Sequence, residues 1–154
     1  MIYNLGKRRL VDRSLSSTTT FQMSATVLST CVIVATPPAF GDYDPNSVVD
    51  LDATSSITAS CTVGTDYDIG LDAGTASGAT VTTRQMTNGT DTLSDALYRD
   101  AARTQNWGQT INTDTVSGTG ELLPTVHTAY GRIPQGQNVP ALLYTDTITA
   151  TITF

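Results

Sequence analysis

Lysine, glutamate, histidine and tryptophan are nearly absent from this chain of 154 residues, because each occurs once, as Lys7, Glu121, His127 and Trp107. The scarcity of lysine and glutamate disfavours long helices. Thr, Ser, Gly, Asp and Ala dominate instead, a composition that suits short strands joined by polar turns. The length is that of one ordinary domain with its own core. The predicted fold class is all-β.

Positive charge is missing from most of the sequence. From residue 18 onward, four basic and thirteen acidic side chains give a net charge of −9. The whole chain has a net charge of −6, because the first seventeen residues are basic. Such a surface repels a phosphate backbone, so nucleic acid is not expected as a partner. The sequence also lacks a run of eighteen apolar residues, and no membrane-spanning helix is predicted.

An apolar stretch is missing behind the basic N-terminus as well. The first seventeen residues, MIYNLGKRRLVDRSLSS, hold half of the basic residues and resemble the n-region of an export signal. An export signal would continue with an apolar h-region, which this sequence lacks. We therefore interpret residues 1–17 as a leader-derived or extraneous segment outside the fold.

Cysteine is scarce, and its two copies, Cys31 and Cys61, each lie in an alternating pattern that points the sulfur inward. A disulfide between them would close a loop of about 30 residues, worth roughly 3 to 4 kcal/mol by the chain-entropy estimate. Two buried free thiols are the alternative. Because two cysteines and one distant histidine do not make a four-ligand set, no metal site is expected.

Alternation of apolar and polar side chains is clearest at the two ends of the region 18–154, and it predicts a strand at each end. The apolar positions are Phe21, Met23, Ala25 and Val27 in the first strand, and Ile148, Ala150, Ile152 and Phe154 in the last. Two further strands near 57–63 and 67–73 are predicted to form a hairpin. Neither lysine nor proline guards the last strand, so we expect another strand to pair with its edge.

Residues for catalysis are not apparent. His127 lies in an alternating strand without a nucleophile or an orienting acid at a suggestive spacing, so no catalytic residue and no cofactor are predicted. Asp66, Asp68 and Asp72 lack the dense spacing of a calcium loop and are interpreted as solvated strand and loop edges. Trp107 is interpreted as a cap on the core, with a surface aromatic of a glycan site as the alternative.

Several pieces of the sequence, in order along residues 18–154, resemble the spore coat protein U domain, a family that includes the subunits of archaic chaperone-usher pili. The most specific pieces are DAARTQNWG at 100–108, YGRIPQGQ at 130–137 and the threonine-alternating strand that ends at Phe154. Residues 1–17 have no counterpart in the family's mature domain.

The resemblance implies an incomplete immunoglobulin-like β-sandwich, here residues 29–154, which lacks one strand and is completed by donor-strand exchange. The donor strand would be residues 18–28, and the disulfide would join Cys31 to Cys61. The side chains that fill the pockets would be Phe21, Met23, Ala25 and Val27. The acceptor groove would be lined in part by Ile148, Ala150, Ile152 and Phe154.

The same resemblance implies that the partners are copies of the chain in a fibre, with a periplasmic chaperone and an outer-membrane usher during assembly. It implies export through the periplasm to a pilus on the bacterial cell surface, with a structural role in adhesion and biofilm formation and no enzyme activity. Two alternatives stay open. One is a self-contained carbohydrate-binding or tip-adhesin sandwich that contacts its ligand through Trp107 and Tyr98, and the other is a spore or cell coat protein.

Overall fold

The computed structural model describes residues 15–154, and their regular structure consists of eight β-strands. The strands are β1 (Cys31–Ala35), β2 (Leu51–Cys61), β3 (Asp66–Leu71), β4 (Arg84–Thr87), β5 (Thr92–Tyr98), β6 (Val116–Thr119), β7 (Thr125–Ile133) and β8 (Ala150–Thr153). Most of the predicted extraneous segment 1–17 lies outside the described residues. Within residues 15–154, no helix has the length and apolar character needed to cross a membrane.

The strands form two antiparallel sheets that pack face to face. The larger sheet has the order β1-β2-β7-β5-β4, and the smaller has the order β6-β3-β8. The longest ladder joins β2 to β7 over nine residue pairs, from Leu51 opposite Ile133 to Ala59 opposite Thr125. This arrangement is an immunoglobulin-like β-sandwich, and it confirms the predicted all-β class.

The core lies between the sheets and is filled by alternate residues of the strands, as the period of two requires. Ile57 and Ala59 of β2 face Ile69 and Leu71 of β3, and all four are buried. Trp107, which belongs to the loop between β5 and β6, completes the same cluster and is fully buried. The prediction that Trp107 caps the core is therefore confirmed.

The predicted hairpin between the strands near 57–63 and 67–73 is wrong. β2 pairs with β1 and β7, whereas β3 pairs with β6 and β8, so the chain crosses from one sheet to the other between them. The crossing is held by hydrogen bonds between Gly64 N and Gly120 O at 2.9 Å and between Gly120 N and Thr65 O at 2.8 Å. A short connection alone did not distinguish a hairpin from a crossing between sheets.

The disulfide between Cys31 and Cys61 is confirmed. The two residues lie opposite each other in the β1–β2 ladder, with their Cα atoms 4.1 Å apart. This bond fixes the first residue of β1 to the last residue of β2. The chain that precedes Cys31 therefore leaves the sandwich from a covalently anchored point.

The strand predicted from residue 18 begins later than expected. Residues 15–30 have no strand structure, and every one of them is exposed. A single extended segment without a neighbour leaves its ladder hydrogen bonds to water, so period-2 alternation by itself does not form a strand. We call residues 15–30 the arm. Strand structure at the other end is also shorter than predicted, because β8 spans four residues.

Candidate functional site

Two of the four edge strands of the sandwich, β1 and β8, lie close to each other. β1 ends the larger sheet and β8 ends the smaller one, and each has a ladder on one side alone within residues 15–154. The two strands approach each other without forming a ladder between them. Because five strands face three, part of the inner face of the larger sheet has no strand above it.

The uncovered face forms an open cavity of about 490 Å³. Its floor contains Ile57, Leu97 and Ala129 from three strands of the larger sheet. One rim is the chain that follows β1, residues 35–40, and the other is the chain that leads into β8, residues 144–150. An adjoining cavity of about 620 Å³ continues past Phe40, Met86 and Tyr144. We call the two cavities together the groove.

The four residues predicted to line an acceptor groove lie along this second rim and beyond it. Ile148 and Ala150 line the groove and pack against the core cluster. Ile152 also packs against the core but is not among the residues that line the cavities, and Phe154 is 57% exposed. The structure thus brings the first two residues to the groove, and Ile152 and Phe154 lie farther along the strand.

The arm carries the apolar side chains that the alternation singled out. Phe21, Met23 and Val27 are 82%, 84% and 82% exposed, and Ala25 is exposed as well. None of these four residues is among those that line the groove. Large apolar side chains repeated along one face of an exposed segment are unusual for a surface, and they indicate a contact with another molecule.

The arm leaves the sandwich on the side away from the groove rim formed by residues 35–40. Thr62, just past the end of β2, donates its backbone N–H to Thr30 O at 2.9 Å, and its hydroxyl donates to Leu28 O at 3.3 Å. The chain at residues 28–30 therefore continues the line of β1 beyond Cys31. To reach the groove rim formed by residues 35–40 of its own subunit, the arm would have to fold back along β1.

The groove floor contains an acidic side chain. Asp95 lies on β5 between the buried residues Leu93 and Leu97, and it is 7% exposed. Its Oδ1 atom has no hydrogen-bond partner within residues 15–154. Burial raises the pKa of Asp95 to about 6, with Arg84 opposing the rise and Asp146 adding to it. Sequence reasoning assigned no role to this residue, which lies in a polar-looking strand.

Asp146 lies on the second rim of the groove. Its Oδ1 atom accepts hydrogen bonds from the backbone N–H and the hydroxyl of Thr75, each at 2.9 Å, and from Thr147 N at 2.8 Å. Its buried Oδ2 atom has no partner in the described part of the chain. Two carboxylate oxygens without partners thus belong to residues that line one groove.

Arg84, opposite Asp95 in the β4–β5 ladder, is fully buried and is bonded to backbone carbonyl oxygens on every side. Nε donates to Asp72 O at 2.8 Å, Nη1 to Val81 O at 2.8 Å, and Nη2 to Leu71 O at 3.0 Å and Trp107 O at 2.7 Å. Trp107 Nε1 donates in turn to Ile69 O at 2.8 Å. Sequence reasoning missed Arg84, because arginine between polar neighbours usually indicates an exposed position.

The YGRIPQGQ piece has a structural explanation at the end of the sandwich beside the groove. The Gln137 side chain accepts from Ser94 N at 2.8 Å and donates to Ser94 O at 2.9 Å, which ties the loop after β7 to β5. A Cβ atom on Gly131 would lie 2.7 Å from Phe40 Cζ, so glycine allows Phe40 to pack over β7. The piece therefore shapes the end of the core next to the groove.

The remaining candidates for chemistry have structural roles. His127 Nε2 lies 2.9 Å from the Tyr67 hydroxyl, which joins the two sheets, and burial lowers the pKa of His127. Asp66 and Asp68 accept hydrogen bonds from threonine and serine hydroxyls, and residues 15–154 contain no cluster of possible metal ligands. Because Trp107 is buried, the alternative in which it contacts a ligand is wrong.

Comparison with known proteins places these features in a family. The sequence profile of the family described as Spore Coat Protein U domain matches residues 17–151. Protein U of Myxococcus xanthus is 43% identical over 126 residues, which cover 75% of this chain and 70% of that protein. The family description names a coat-protein domain and not a class of enzyme.

A solved structure confirms the fold. It is the crystal structure of the CsuC-CsuE chaperone-tip adhesion subunit pre-assembly complex from archaic chaperone-usher Csu pili of Acinetobacter baumannii, with a TM-score of 0.63 and 22% identity. The match covers 84% of this chain, which spans 40% of the length of the matched chain in that structure. Because the family profile extends over almost all of the described residues, this chain belongs to the Spore Coat Protein U domain family.

Proposed function

We propose that this protein is a structural subunit of a chaperone-usher type surface fibre that assembles by donor-strand exchange. The observation that carries the proposal is the presence, in one chain, of an open apolar groove and an exposed arm with apolar side chains at every second position. The donor strand is residues 18–28, and the sandwich that receives a donor strand is residues 29–154. Residues 1–17 take no part in the fold on this proposal.

The arm has the chemistry of a strand that would bury one face. Phe21, Met23 and Val27 would contribute roughly 1.5 to 3 kcal/mol each when buried, on the order of 5 to 10 kcal/mol together before ordering costs, and Ala25 would add a smaller amount. Pairing with the free edges beside the groove would add main-chain hydrogen bonds, as in other complexes formed by strand addition. Neither gain is available to the exposed arm.

The direction of the arm favours exchange between copies. Because the chain at Leu28 and Thr30 runs on past the end of β2, the arm joins the sandwich at the end of β1 opposite to the groove rim formed by residues 35–40. A contact between the arm of one copy and the groove of the next joins two different surfaces. Such a heterologous contact repeats without closing and yields an open filament. The acceptor surface of each copy is proposed to include Ile148, Ala150, Ile152 and Phe154.

The open groove and the free edges of β1 and β8 would be sites of aggregation before assembly. This hazard supports the proposal that a periplasmic chaperone covers the groove and that an outer-membrane usher exchanges the chaperone for the next subunit. The fold neighbour comes from a chaperone-subunit complex of this kind. The proposed location is a pilus on the bacterial cell surface, reached through the periplasm, and the proposed roles of the fibre are adhesion and biofilm formation.

A coat protein is the second candidate function. It is favoured by the description of the family and by the 43% identity with Protein U. Strand exchange would also join the subunits of a coat, so the two candidates differ in the form of the assembly. Electron microscopy of the exported material distinguishes them, because a pilus subunit gives thin fibres at the cell surface and a coat protein gives a continuous layer.

Electrophoresis in detergent with and without boiling tests the strand exchange. In the full chain, Phe21→Asp with Val27→Asp places two charges on the apolar face of the arm and should abolish the ladder of multimers. Thr20→Asp with Thr26→Asp places the same charges on the opposite face and should preserve the ladder. If both pairs of substitutions leave the ladder intact, the arm is not the donor strand.

Complementation between two defective subunits tests the direction of the contact. A groove variant, Ile148→Arg, keeps its arm, and the Phe21→Asp, Val27→Asp variant keeps its groove. Neither should form multimers alone, and a mixture should form dimers without longer species. Circular dichroism checks that each variant is folded. Monomers in the mixture, or a full ladder for Ile148→Arg alone, would contradict the proposed acceptor surface.

A further inference from the structure

We propose that Asp95 takes up one proton from the solvent when an apolar strand fills the groove, so that strand binding is tighter in acid than in alkali. This inference rests on the proposed function, because it describes the same groove when occupied. It assigns Asp95 as the residue that makes assembly sensitive to pH.

Asp95 occupies a position that an apolar residue would normally fill. It points inward between Leu93 and Leu97, and the groove around it is lined by Ile57, Ala129 and Ile148. Although Asp95 is only 7% exposed, its Oδ1 atom lacks a hydrogen-bond partner within residues 15–154. The carboxylate therefore depends on whatever solvent the open groove admits.

Neighbouring charges do not satisfy this carboxylate. Arg84 lies opposite on β4, but four of its N–H groups are donated to backbone carbonyl oxygens. Asp146 on the second rim carries the same sign as Asp95 and also has an oxygen without a partner. Asp72 and Asp114 favour the charged form of Arg84 and so raise its pKa. Tyr144 on the rim has a pKa above its ordinary value, so its hydroxyl stays neutral. β7 presents the apolar Ile133 and Ala129.

A donor strand would remove the remaining solvent. The proposed groove-facing side chains of the arm are Phe21, Met23, Ala25 and Val27, and none of them is a hydrogen-bond donor. Burying an ionised carboxylate without a partner is far more costly than burying the neutral acid, so the group binds a proton instead. The proton goes to a carboxylate oxygen of Asp95, and the products are the neutral carboxylic acid and the filled groove.

The direction of the pH dependence follows from linkage. Burial already raises the pKa of Asp95 to about 6 in the open groove, and a filled groove raises it further. Below about pH 6, Asp95 is protonated in both the open and the filled groove, so the affinity for the strand does not change with pH. Above it, the open groove is ionised while the filled groove keeps the proton. Affinity then falls by up to about tenfold for each pH unit.

The test uses the full chain with Phe21→Asp and Val27→Asp, which disables the arm and leaves the groove unchanged. The probe is a fluorescent synthetic peptide of residues 17–29, and its Kd is measured by anisotropy from about pH 5 to about pH 8.5. This range lies on either side of the pKa of about 6 that Asp95 has in the open groove. The expected Kd is flat in acid and rises steeply above about pH 6. Calorimetry in two buffers of different ionisation enthalpy should give an uptake approaching one proton per peptide.

Two variants in the same background complete the test. Asp95→Asn should abolish the slope and bind the peptide more tightly in alkali, whereas Asp66→Asn, an exposed aspartate on β3, should keep the slope. A Kd independent of pH with Asp95 present, or an unchanged slope in Asp95→Asn, overturns the inference and leaves strand exchange intact. Absence of peptide binding at every pH contradicts the proposed function itself. If Asp95→Asn does not fold, the calorimetry of the chain that retains Asp95 tests the inference. Uptake of about one proton per peptide supports it, and no uptake overturns it.

Discussion

Arg84 and Asp95 are opposite each other in one ladder, yet they belong to two differently built regions. Arg84, together with Trp107, lies where the chain closes its own core, and its hydrogen bonds to four carbonyl oxygens tie β4, the end of β3 and the loop after β5 together. Asp95 lines the groove, where buried oxygens of Asp95 and Asp146 lack partners in the described residues. Arg99 Nε and Asn106 Nδ2, in the loop after β5, also lack partners among these residues, but of these four atoms only the two carboxylate oxygens line the cavity.

The difference shows which polar groups find hydrogen-bond partners within the chain itself. A buried polar group without a partner is costly, and folded proteins avoid it almost everywhere. The Arg84 guanidinium follows that rule through its four hydrogen bonds. Asp95 and Asp146 break it beside a cavity of about 490 Å³, which is large enough for side chains of another segment. A site whose unpaired groups and open cavity would be filled by a second molecule is expected of a subunit.

The largest effect is expected from Arg84→Met, which would remove the side-chain donor from four backbone carbonyl oxygens, two of them in fully buried hydrogen bonds. We expect a loss of about 3 to 5 kcal/mol in the free energy of unfolding, measured with urea. The matched control is Arg132→Met, which breaks exposed ion pairs to Asp50 and Asp52 and should cost no more than about 1 kcal/mol. Equal losses in the two variants would show that the region of Arg84 is not a closed, tightly paired part of the core.

Removal of the disulfide is expected to have the next largest effect. Cys31→Ser with Cys61→Ser frees the start of β1, the strand that leads into one rim of the groove. By the chain-entropy estimate for a loop of this size, the free energy of unfolding should fall by about 3 to 4 kcal/mol. Urea unfolding with and without a reductant measures the effect. The double variant is its own control, since a reductant should destabilise the natural chain and leave the variant unchanged.

A smaller effect of opposite sign is expected from Asp95→Asn. Because the pKa of Asp95 is raised from 3.8 to about 6 by folding, its contribution to stability is present below about pH 4 and is lost as pH rises through about 6. The substitution should therefore stabilise the chain near pH 8 by up to about 3 kcal/mol relative to its effect near pH 4. Asp66→Asn serves as the control with little change between the two pH values. A difference that does not depend on pH would mean that Asp95 is already satisfied.

The smallest effect is expected from Phe21→Ala in the monomeric chain. Phe21 is 82% exposed, so its truncation should change the free energy of unfolding by less than about 0.5 kcal/mol. The matched comparison is Phe40→Ala, because the Phe40 ring packs over Gly131. This substitution should lower the free energy of unfolding by about 2 to 3 kcal/mol. Measurements on monomer separated by gel filtration check both values. A large loss for Phe21→Ala would mean that the arm packs against its own subunit.

Prediction from the sequence succeeded where a local pattern had one structural meaning. Alternation located β2 and β3. The inward pattern around Cys31 and Cys61 agreed with the disulfide that the family resemblance implied. Trp107 was interpreted as a cap on the core, and the structure buries it completely.

Prediction failed where the answer depended on which strands become neighbours. The predicted hairpin of β2 with β3 was wrong because alternation shows only that each strand has a core-facing side. Two strands in one sheet and two strands in facing sheets both satisfy that pattern. Arg84 and Asp95 were missed because nothing in their local sequence marks a charged residue as buried. Burial of Arg84 requires carbonyl oxygens from three separate segments, and these segments meet after the sheets have packed.

The sequence by itself determined the all-β class, the alternation that gives each strand an inner face, and the apolar face of the arm, since these are properties of neighbouring residues along the chain. Tertiary structure alone decided the pairing of strands, the groove left by five strands facing three, and the surroundings that raise the pKa of Asp95. The physical reason is that hydrophobic period is local, whereas desolvation and hydrogen-bond satisfaction depend on atoms from distant segments meeting in space.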